Sequence, residues 1–197
     1  MHETAHGPAV NIKNRALIAL FFHRMCDLLA VPSVISAERQ VRPVTAEELF
    51  EKTYTAYGPA LYRFCRMQMG NDADAEDVLQ EVFCKRLYRA PEFGTAEQER
   101  RWLFRVAVNQ CRDELRRKHR TETALTKDLP APAETDLGLW ELMRTLPENQ
   151  RTVIHLHYAE SWTVEEIAKI LGTTVPAVKM RLKRGREALR REWGADR

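Results

Sequence analysis

A glycine that separates two apolar helical patterns restricts the fold of this chain more than any other feature. Before it, one face of a helix is predicted by apolar residues at three- and four-residue spacing: Val164, Ile167, Ala168 and Leu171. Gly172 follows where a tight turn needs a positive φ angle. Thr174 can then cap a second helix, whose first turn contains Pro176 where the missing N–H costs little. The segment therefore predicts a helix-turn-helix.

The second helix of this pair has an apolar seam that determines which of its residues face outward. The seam consists of Val175, Val178, Leu182, Gly185 and Leu189. Its opposite side carries the residues that a recognition helix would place in a groove, flanked by Arg181 and Arg186 at positions that reach phosphates. A basic face that is merely solvated is the alternative. The candidate residues for duplex DNA are Thr174, Pro176, Lys179, Met180, Arg181, Lys183, Arg184 and Arg186.

Helix start signals recur through the rest of the chain. Thr95 with Gln98, and Thr163 with Glu166, have the spacing of a capping box. Asp74 starts another apolar run, and alternating strand patterns are nearly absent. The chain is 44% hydrophobic and 30% charged, which suits a folded, soluble protein. We therefore predict an all-α fold. Because the net charge is only +3, any surface that binds a polyanion must arise from clustered charges.

A change of composition at residues 121–136 divides the chain. Prolines and acidic residues accumulate there and aromatic residues are absent, which is typical of a flexible linker. The predicted plan is an N-terminal extension of unknown role (1–43), a first helical domain (44–120), this linker, and a second helical domain (137–197) with the helix-turn-helix. Both domains are small, so each core must be a compact helix bundle.

The most apolar stretch of the chain, residues 16–31, is interrupted by His23, Arg24 and Asp27. It is too short and too charged for a membrane-spanning helix, and it lacks the pattern of a signal peptide. An amphipathic helix, or a leader before an internal start at Met25, fits the pattern. We therefore expect no membrane insertion.

The cysteines and histidines do not have the spacing of a metal site. No CxxC pair occurs among the widely separated Cys26, Cys65, Cys84 and Cys111, which favours small buried hydrophobes in a reducing cytoplasm over disulfides or zinc ligands. His155 and His157 point to different faces of one helix. We predict no metal site and no cofactor.

One predicted helix of the first domain combines an apolar face with a polar stripe. The apolar face is Leu103, Phe104, Ala107, Val108, Cys111 and Leu115, and the exposed stripe opposite is Trp102, Arg105, Asn109, Arg112 and Arg116. Such a stripe suits single-stranded or melted DNA, because rings stack on bases, an amide reads base edges and guanidinium groups hold phosphates. A polar outer face with one half-buried tryptophan is the alternative.

The preceding helix carries a small acidic face made of Asp77, Gln80 and Glu81. An acidic surface for a protein partner fits this pattern, and plain solvation is the alternative. Paired carboxylates can serve acid–base catalysis, but no nucleophile or pocket-forming motif accompanies them. We therefore do not predict an enzyme.

Taken together, these stretches resemble bacterial RNA polymerase sigma factors of the extracytoplasmic-function (ECF) type. The stretch "DAEDVLQEVF" resembles region 2.2 of that family, and "RRWLFRVAVNQCRDELRR" resembles regions 2.3 and 2.4. The stretch beginning "LPENQRTVIHLHYAESW" and continuing through the helix-turn-helix resembles region 4. The resemblance covers residues 45–120 and 137–192, in the family's order.

The resemblance implies a promoter-specificity subunit of RNA polymerase. Asp77, Gln80 and Glu81 match the segment that docks on the coiled coil of the polymerase β′ subunit. The stripe from Trp102 to Arg116 matches the surface that captures the melted minus-ten element, and residues 89–98 match a base-capturing loop. The second domain would read the minus-thirty-five element and contact the polymerase β flap. An anti-sigma factor is implied as a further partner, and the cytoplasm as the location.

The predicted function is therefore to bind core RNA polymerase and to direct promoter recognition and DNA melting at transcription initiation. The alternative is a free-standing helix-turn-helix regulator that binds duplex operator DNA without polymerase. That alternative leaves the stripe of the first domain unexplained. Met180 and Pro176 stand where other members of the family often carry small polar residues, so the promoter sequence is not carried over.

Overall fold

The computed structural model describes residues 45–121 and 137–195, and every regular element in these ranges is helical. The first domain consists of α1 (Ala46–Met69), α2 (Asp72–Arg89) and α3 (Ala96–Thr121). The second domain consists of α4 (Leu137–Thr145), α5 (Glu148–Ile154), a π-helical turn (His155–Ala159), α6 (Val164–Leu171) and α7 (Val175–Ala195). The predicted all-α fold with two helical domains is confirmed.

Some predictions concern residues outside these ranges. They are the role of residues 1–43, including Cys26 and the apolar stretch 16–31, and the linker 121–136, of which only Thr121 is described, as the last residue of α3. Within the described ranges, no helix combines the length and apolarity needed to cross a bilayer. The same residues contain no group of three or more His, Cys, Asp and Glu side chains placed to hold a metal ion.

The core of the first domain lies between α1, α2 and the predicted apolar face of α3. Five residues of that face are at most 2% exposed, namely Leu103, Phe104, Ala107, Val108 and Cys111. Phe64 of α1 meets Phe104 edge to face, with ring centroids 5.9 Å apart. Cys65 and Cys111 are buried, as predicted, whereas Cys84, for which burial was also predicted, is only half-buried. Hydrogen bonding to Cys65 and burial raise the pKa of the Cys111 thiol, so it stays in the unreactive protonated form.

Helix α2 begins earlier than the sequence predicted. Its N-cap is Asn71, whose side-chain oxygen accepts a hydrogen bond from the Asp74 N–H at 2.9 Å. The prediction that Asp74 starts the helix was wrong, because an asparagine three residues earlier satisfies one of the unpaired amide donors. Asp74 lies in the first turn instead and pairs with Lys118 of α3.

The start of α3 follows the predicted cap only in part. The Gln98 N–H donates to the Thr95 hydroxyl at 3.2 Å, as a capping box requires. The Gln98 side chain, however, accepts from the Gly94 N–H at 3.0 Å, one residue before the threonine. This contact ties the loop to the first turn of α3. Of the predicted loop 89–98, residues 90–95 lie between α2 and α3, and the others belong to these two helices.

The helix-turn-helix forms as the sequence predicted. The Glu166 N–H donates to the Thr163 hydroxyl, while the Thr163 N–H donates to the Glu166 carboxylate at 2.9 Å, completing the capping box. Gly172 ends α6 in the left-handed conformation, with φ of 60°. The Thr174 hydroxyl accepts from the Ala177 N–H at 3.4 Å and caps α7. One assignment changes, because Ile170 is buried and Leu171 is only half-buried.

Candidate nucleic-acid interface

The outward face of α7 is open to solvent. Of the eight residues predicted to contact duplex DNA, Arg181 is half-buried and the other seven are exposed on this helix or at its start: Thr174, Pro176, Lys179, Met180, Lys183, Arg184 and Arg186. Lys183 lies 3.9 Å from Glu187, and such an exposed i,i+4 pair is too weak to hold the lysine away from a phosphate. This face can reach base edges and phosphates without any rearrangement of the second domain.

Packing on the other side of α7 determines how this face is presented. Val178 and Leu182 are buried, in agreement with the predicted seam. Gly185 is also buried, and a Cβ atom placed there would lie 2.9 Å from Cγ1 of Ile154. Real Cβ atoms essentially never approach so closely, so only glycine lets α7 lie this near to α5. The close approach orients the recognition helix.

The stripe predicted on α3 is only partly open. Arg105, Asn109 and Arg116 are exposed, whereas Trp102 and Arg112 are half-buried. The expectation that the whole stripe is exposed was wrong, since neighbouring groups cover two of its members. Trp102 packs on Phe93 of the loop 89–98, with ring centroids 5.7 Å apart.

The loop 89–98 is held against the first domain by polar contacts. The Arg86 guanidinium lies 5.1 Å from the Phe93 ring centroid and donates to Glu99 at 2.6 Å. The Tyr57 hydroxyl donates to the carbonyl of Ala96 at 3.1 Å. These contacts support the aromatic pair formed with Trp102, which suits a surface on which an unpaired base can stack.

Arginines of α3 bind acceptors of the second domain. Arg112 donates to Glu148 at 3.0 Å, and Arg105 donates to the main-chain carbonyl of Lys169. Arg101 lies 4.0 Å from Glu166. Arg100 donates to the main-chain carbonyl of Glu160. We call these four side chains the arginine surface of α3: Arg100, Arg101, Arg105 and Arg112.

Glu160 is the buried acidic residue of this contact. Its side chain is 3% exposed and lies close to three basic side chains. Arg100 donates to its carbonyl at 2.8 Å and lies 3.4 Å from its carboxylate, Arg63 of α1 lies 3.5 Å away, and His155 lies 3.7 Å away. A buried carboxylate needs such partners, because an unpaired charge away from water is costly.

Apolar contacts surround the buried carboxylate. Trp162 meets Phe104 edge to face at 5.8 Å, and the Arg100 guanidinium lies 4.1 Å from the Trp162 ring centroid. His155, which is buried, meets Phe64 at 5.4 Å. The neighbours of His155 are therefore a carboxylate and an aromatic ring.

A second group of contacts joins α1 to the start of the second domain. The Arg66 guanidinium lies 4.6 Å from the Trp140 ring centroid, and Arg151 donates to the side chain of Gln68 at 3.3 Å. Burial, together with the nearby Arg144, lowers the pKa of Arg151 from its ordinary value. The two domains thus share an extended polar and aromatic contact.

Sequence patterns did not identify the residues that join the domains. Arg100, Glu160 and Trp162 belong to no predicted site. In the sequence, Glu160 and Trp162 follow an apolar run, which indicates that they are buried. The sequence does not indicate which residues they contact. The partners lie about 60 residues away, since Arg100 and Glu160 are separated by 60 positions.

The acidic face of α2 is directed away from its core. Asp77 and Glu81 are exposed and Gln80 is half-buried, whereas Val78, Leu79 and Val82 are buried on the inner side. Glu81 lies 3.8 Å from Lys85 of the same helix. The three predicted docking residues therefore share one accessible face.

Comparisons with known proteins match both domains. A family model described as Sigma-70 region 2 matches residues 53–121, and one described as Sigma-70, region 4 matches residues 137–189. The chain is 31% identical over 167 residues to the ECF RNA polymerase sigma factor SigW of Bacillus subtilis, covering 74% of this chain and 89% of that protein. It is 28% identical over 159 residues to the sigma factor CarQ of Myxococcus xanthus, covering 76% and 91%.

Two solved structures share the fold. The sigma factor RpoE, solved with the anti-sigma factor NepR from Bartonella quintana, matches with a TM-score of 0.64 at 23% identity, covering 76% of this chain and 99% of that chain. CnrH, solved with the cytosolic domain of CnrY, matches with a TM-score of 0.58 at 28% identity, covering 75% and 89%. The helical arrangement is therefore one that such chains adopt.

Proposed function

Because this chain belongs to the sigma-70 family, and within it to the ECF sigma factors, we propose a division of labour between its two domains. An ECF sigma factor directs promoter recognition at transcription initiation, and this is the function of the chain. We propose that α7 reads the minus-thirty-five element as duplex DNA. Lys179, Met180, Lys183 and Arg184 face the groove, and Arg181 and Arg186 hold phosphates.

The first domain, in the same proposal, captures the melted minus-ten element. Trp102 and Phe93 supply aromatic surface for an unpaired base, and Asn109 reads a base edge. Arg105, Arg112 and Arg116 hold the phosphates of the opened strand. The observation that carries the proposal is the presence, in one chain, of an exposed basic recognition helix and a separate aromatic, amide and arginine stripe.

Core RNA polymerase is the proposed partner of the acidic face. Asp77, Gln80 and Glu81 would dock on the coiled coil of the β′ subunit, and the second domain would contact the β flap. An anti-sigma factor is a further proposed partner, supported by the matching sigma factor RpoE, which was solved with the anti-sigma factor NepR. The chain itself would carry out no catalysis and would act with polymerase in the cytoplasm.

The test separates the two surfaces with paired variants. Lys179→Ala with Arg184→Ala should lower transcription from the cognate promoter about tenfold or more, because each lost DNA contact costs about 1–3 kcal/mol. Retention of that variant by purified core polymerase should be unchanged. Asp77→Ala with Gln80→Ala should lose retention by core polymerase while its second domain is intact. Identical behaviour of both pairs would contradict the division of labour.

The rival is a free-standing regulator that binds duplex operator DNA. A gel-shift assay with the mapped promoter distinguishes it, because a sigma factor should bind tightly only after core polymerase is added. Tight binding by the chain alone, together with no retention by core polymerase, would favour the rival.

A further inference from the structure

We propose that Arg86 is a positioning residue for base capture, which holds Phe93 beside Trp102 so that the loop between α2 and α3 is ready to receive an unpaired base of the minus-ten element. This inference rests on the proposed function of that loop and of the stripe on α3. Arg86 lies in α2, outside both predicted DNA-binding surfaces, and its side chain is only 14% exposed. It therefore acts through Phe93 and not through a contact with DNA.

Phe93 is the side chain by which the loop packs on the first domain. Among residues 91–98, all of which the structure describes, Phe93 is half-buried and the others are exposed. Exposed segments with few buried contacts move at a low free-energy cost. The direction of the Phe93 ring therefore depends on the groups that contact it.

Arg86 contacts this ring and the helix that carries Trp102 at the same time. Its guanidinium carbon lies 5.1 Å from the Phe93 ring centroid, and its Nε donates to the Glu99 carboxylate at 2.6 Å. Glu99 precedes Trp102 by three residues in α3, so the two lie at neighbouring positions on one face of that helix. Arg86 thereby ties the loop ring to the Trp102 ring, whose centroid is 5.7 Å from that of Phe93.

A guanidinium group suits both contacts of Arg86. Its flat face lies on an aromatic ring, while the N–H groups at its edge donate to a carboxylate. A lysine ammonium can pair with Glu99, but it has no flat face to lie on Phe93. The Glu99 side chain is 17% exposed, so solvent screens this ion pair less than it screens a surface pair.

Two hydrogen bonds act on the backbone of the loop rather than on the Phe93 ring. The Tyr57 hydroxyl donates to the Ala96 carbonyl at 3.1 Å, and the Gly94 N–H donates to the Gln98 side chain at 3.0 Å. Both lie after the phenylalanine in the chain, where the loop meets α3. Loss of the arginine therefore releases the ring while the loop stays attached.

A ring that is already in place binds a base more tightly than a ring that must first be ordered. Stacking on a base contributes affinity, whereas ordering a side chain and a loop during binding opposes it. Arg86→Gln should therefore weaken capture of the unpaired base about fivefold. An ion pair that only stabilises the fold would have no effect that depends on the presence of a base.

The test uses the full chain with core polymerase and a fluorescein-labelled promoter fragment whose minus-ten strand is unpaired, with binding measured by fluorescence anisotropy. In a set of fragments with single abasic nucleotides, the captured base is the one whose loss weakens wild-type binding most. On the intact fragment, Arg86→Gln should bind about fivefold more weakly than wild type. On the fragment that lacks the captured base the two should bind equally, because no base is left to stack. An equal loss on both fragments overturns the proposal.

Lys118→Gln is the matched control. Lys118 of α3 pairs with Asp74 of α2, so this ion pair joins the same two helices, and its loss also removes a single positive charge. The Lys118 side chain is 27% exposed and lies outside the loop. The control should change binding to the intact and the abasic fragment by the same factor. A base-dependent loss as large as that of Arg86→Gln overturns the proposal.

Arg86→Lys keeps the test decisive if Arg86→Gln lowers helical content in circular dichroism. It retains a positive charge beside Glu99, so the helical content should be that of wild type, yet base-dependent binding should fall about two- to threefold. In a Phe93→Leu background, Arg86→Lys should have no further effect, because the residue acts through that ring. Full base-dependent binding by Arg86→Lys, or an additive loss in the Phe93→Leu background, overturns the proposal.

The remaining outcomes separate this inference from the proposed function. If the loss of a base weakens wild-type binding, but Arg86→Gln and Arg86→Lys weaken binding to every fragment alike, only the role of Arg86 is overturned. If no abasic position weakens wild-type binding, the proposed capture of the minus-ten strand fails, and this inference fails with it.

Discussion

The chain has two basic surfaces that we propose bind DNA, and they differ in what covers them. On α7, Lys179, Lys183 and Arg184 are exposed, and Lys183 makes a weak exposed pair with Glu187. On α3, the arginine surface binds Glu148, Glu160, Glu166 and a main-chain carbonyl of the second domain. The comparison teaches that a basic pattern in the sequence identifies a surface for anions without telling which anion occupies it.

The largest expected effect comes from removing an aromatic side chain from the buried face of α3. Phe104→Ala should lower the free energy of unfolding by about 3–5 kcal/mol, because Phe104 is fully buried between Phe64 and Trp162. Urea denaturation followed by circular dichroism measures this. Met180→Ala on the open surface is the control and should change stability by about 0.5 kcal/mol or less. If Phe104→Ala and Met180→Ala lowered the free energy of unfolding equally, the difference between the buried face of α3 and the exposed face of α7 would be contradicted.

A smaller effect is expected where α7 approaches α5. Gly185→Ala gains helix propensity, but its Cβ would lie 2.9 Å from Ile154 Cγ1. Overpacking outweighs that gain, so the free energy of unfolding should fall by about 1–2 kcal/mol. Arg186→Ala, on the open side of the same helix, should be close to neutral. A stabilised Gly185→Ala variant would show that the orientation of the recognition helix does not depend on this approach.

Chemical modification compares the two surfaces directly. Phenylglyoxal should modify Arg184 and Arg186 at least about threefold faster than Arg100 and Arg112, because a guanidinium held by a carboxylate is less available. Mass spectrometry of peptides gives the rate at each site. The difference should shrink in a variant that carries Glu148→Gln and Glu160→Gln, and equal rates in wild type would contradict the covered state of α3.

The smallest effect concerns the pH dependence of a contact on the covered side. Hydrogen bonds from the Thr163 amide and hydroxyl, together with nearby Arg101 and Arg100, lower the pKa of Glu166. A lowered pKa in the folded state contributes stability at pH above the unfolded value of about 4.3, and that stability is lost as the pH falls through the folded value.

Glu166→Gln keeps a side-chain oxygen for the cap but removes the charge. It should therefore lose about half a kcal/mol at pH 7, discounted for solvent screening, and should differ less from wild type near pH 3. Urea denaturation at both pH values measures the difference. A gap that widened on acidification would contradict the lowered pKa.

Much of the fold was predictable because its signals are local. The Thr163 and Glu166 cap, the left-handed Gly172 and the seam through Val178 and Leu182 depend on residues a few positions apart. Backbone sterics and helical periodicity act over the same short range. The error at the start of α2 was also local, since Asn71 and Asp74 are both good caps and only hydrogen-bond geometry distinguishes them.

Sequence alone determined the helical class, the helix-turn-helix, the family and the charge of both proposed DNA-binding surfaces. Only the tertiary structure decided that Arg105 binds the Lys169 carbonyl 64 positions away and that Glu160 is buried against two arginines of the first domain. It also decided that the glycine at position 185 lies in close contact with Ile154. Periodicity shows which side of a helix is buried or charged, but not which distant element meets it. That choice follows from the packing of whole helices, in which shape and charge must match at the same time.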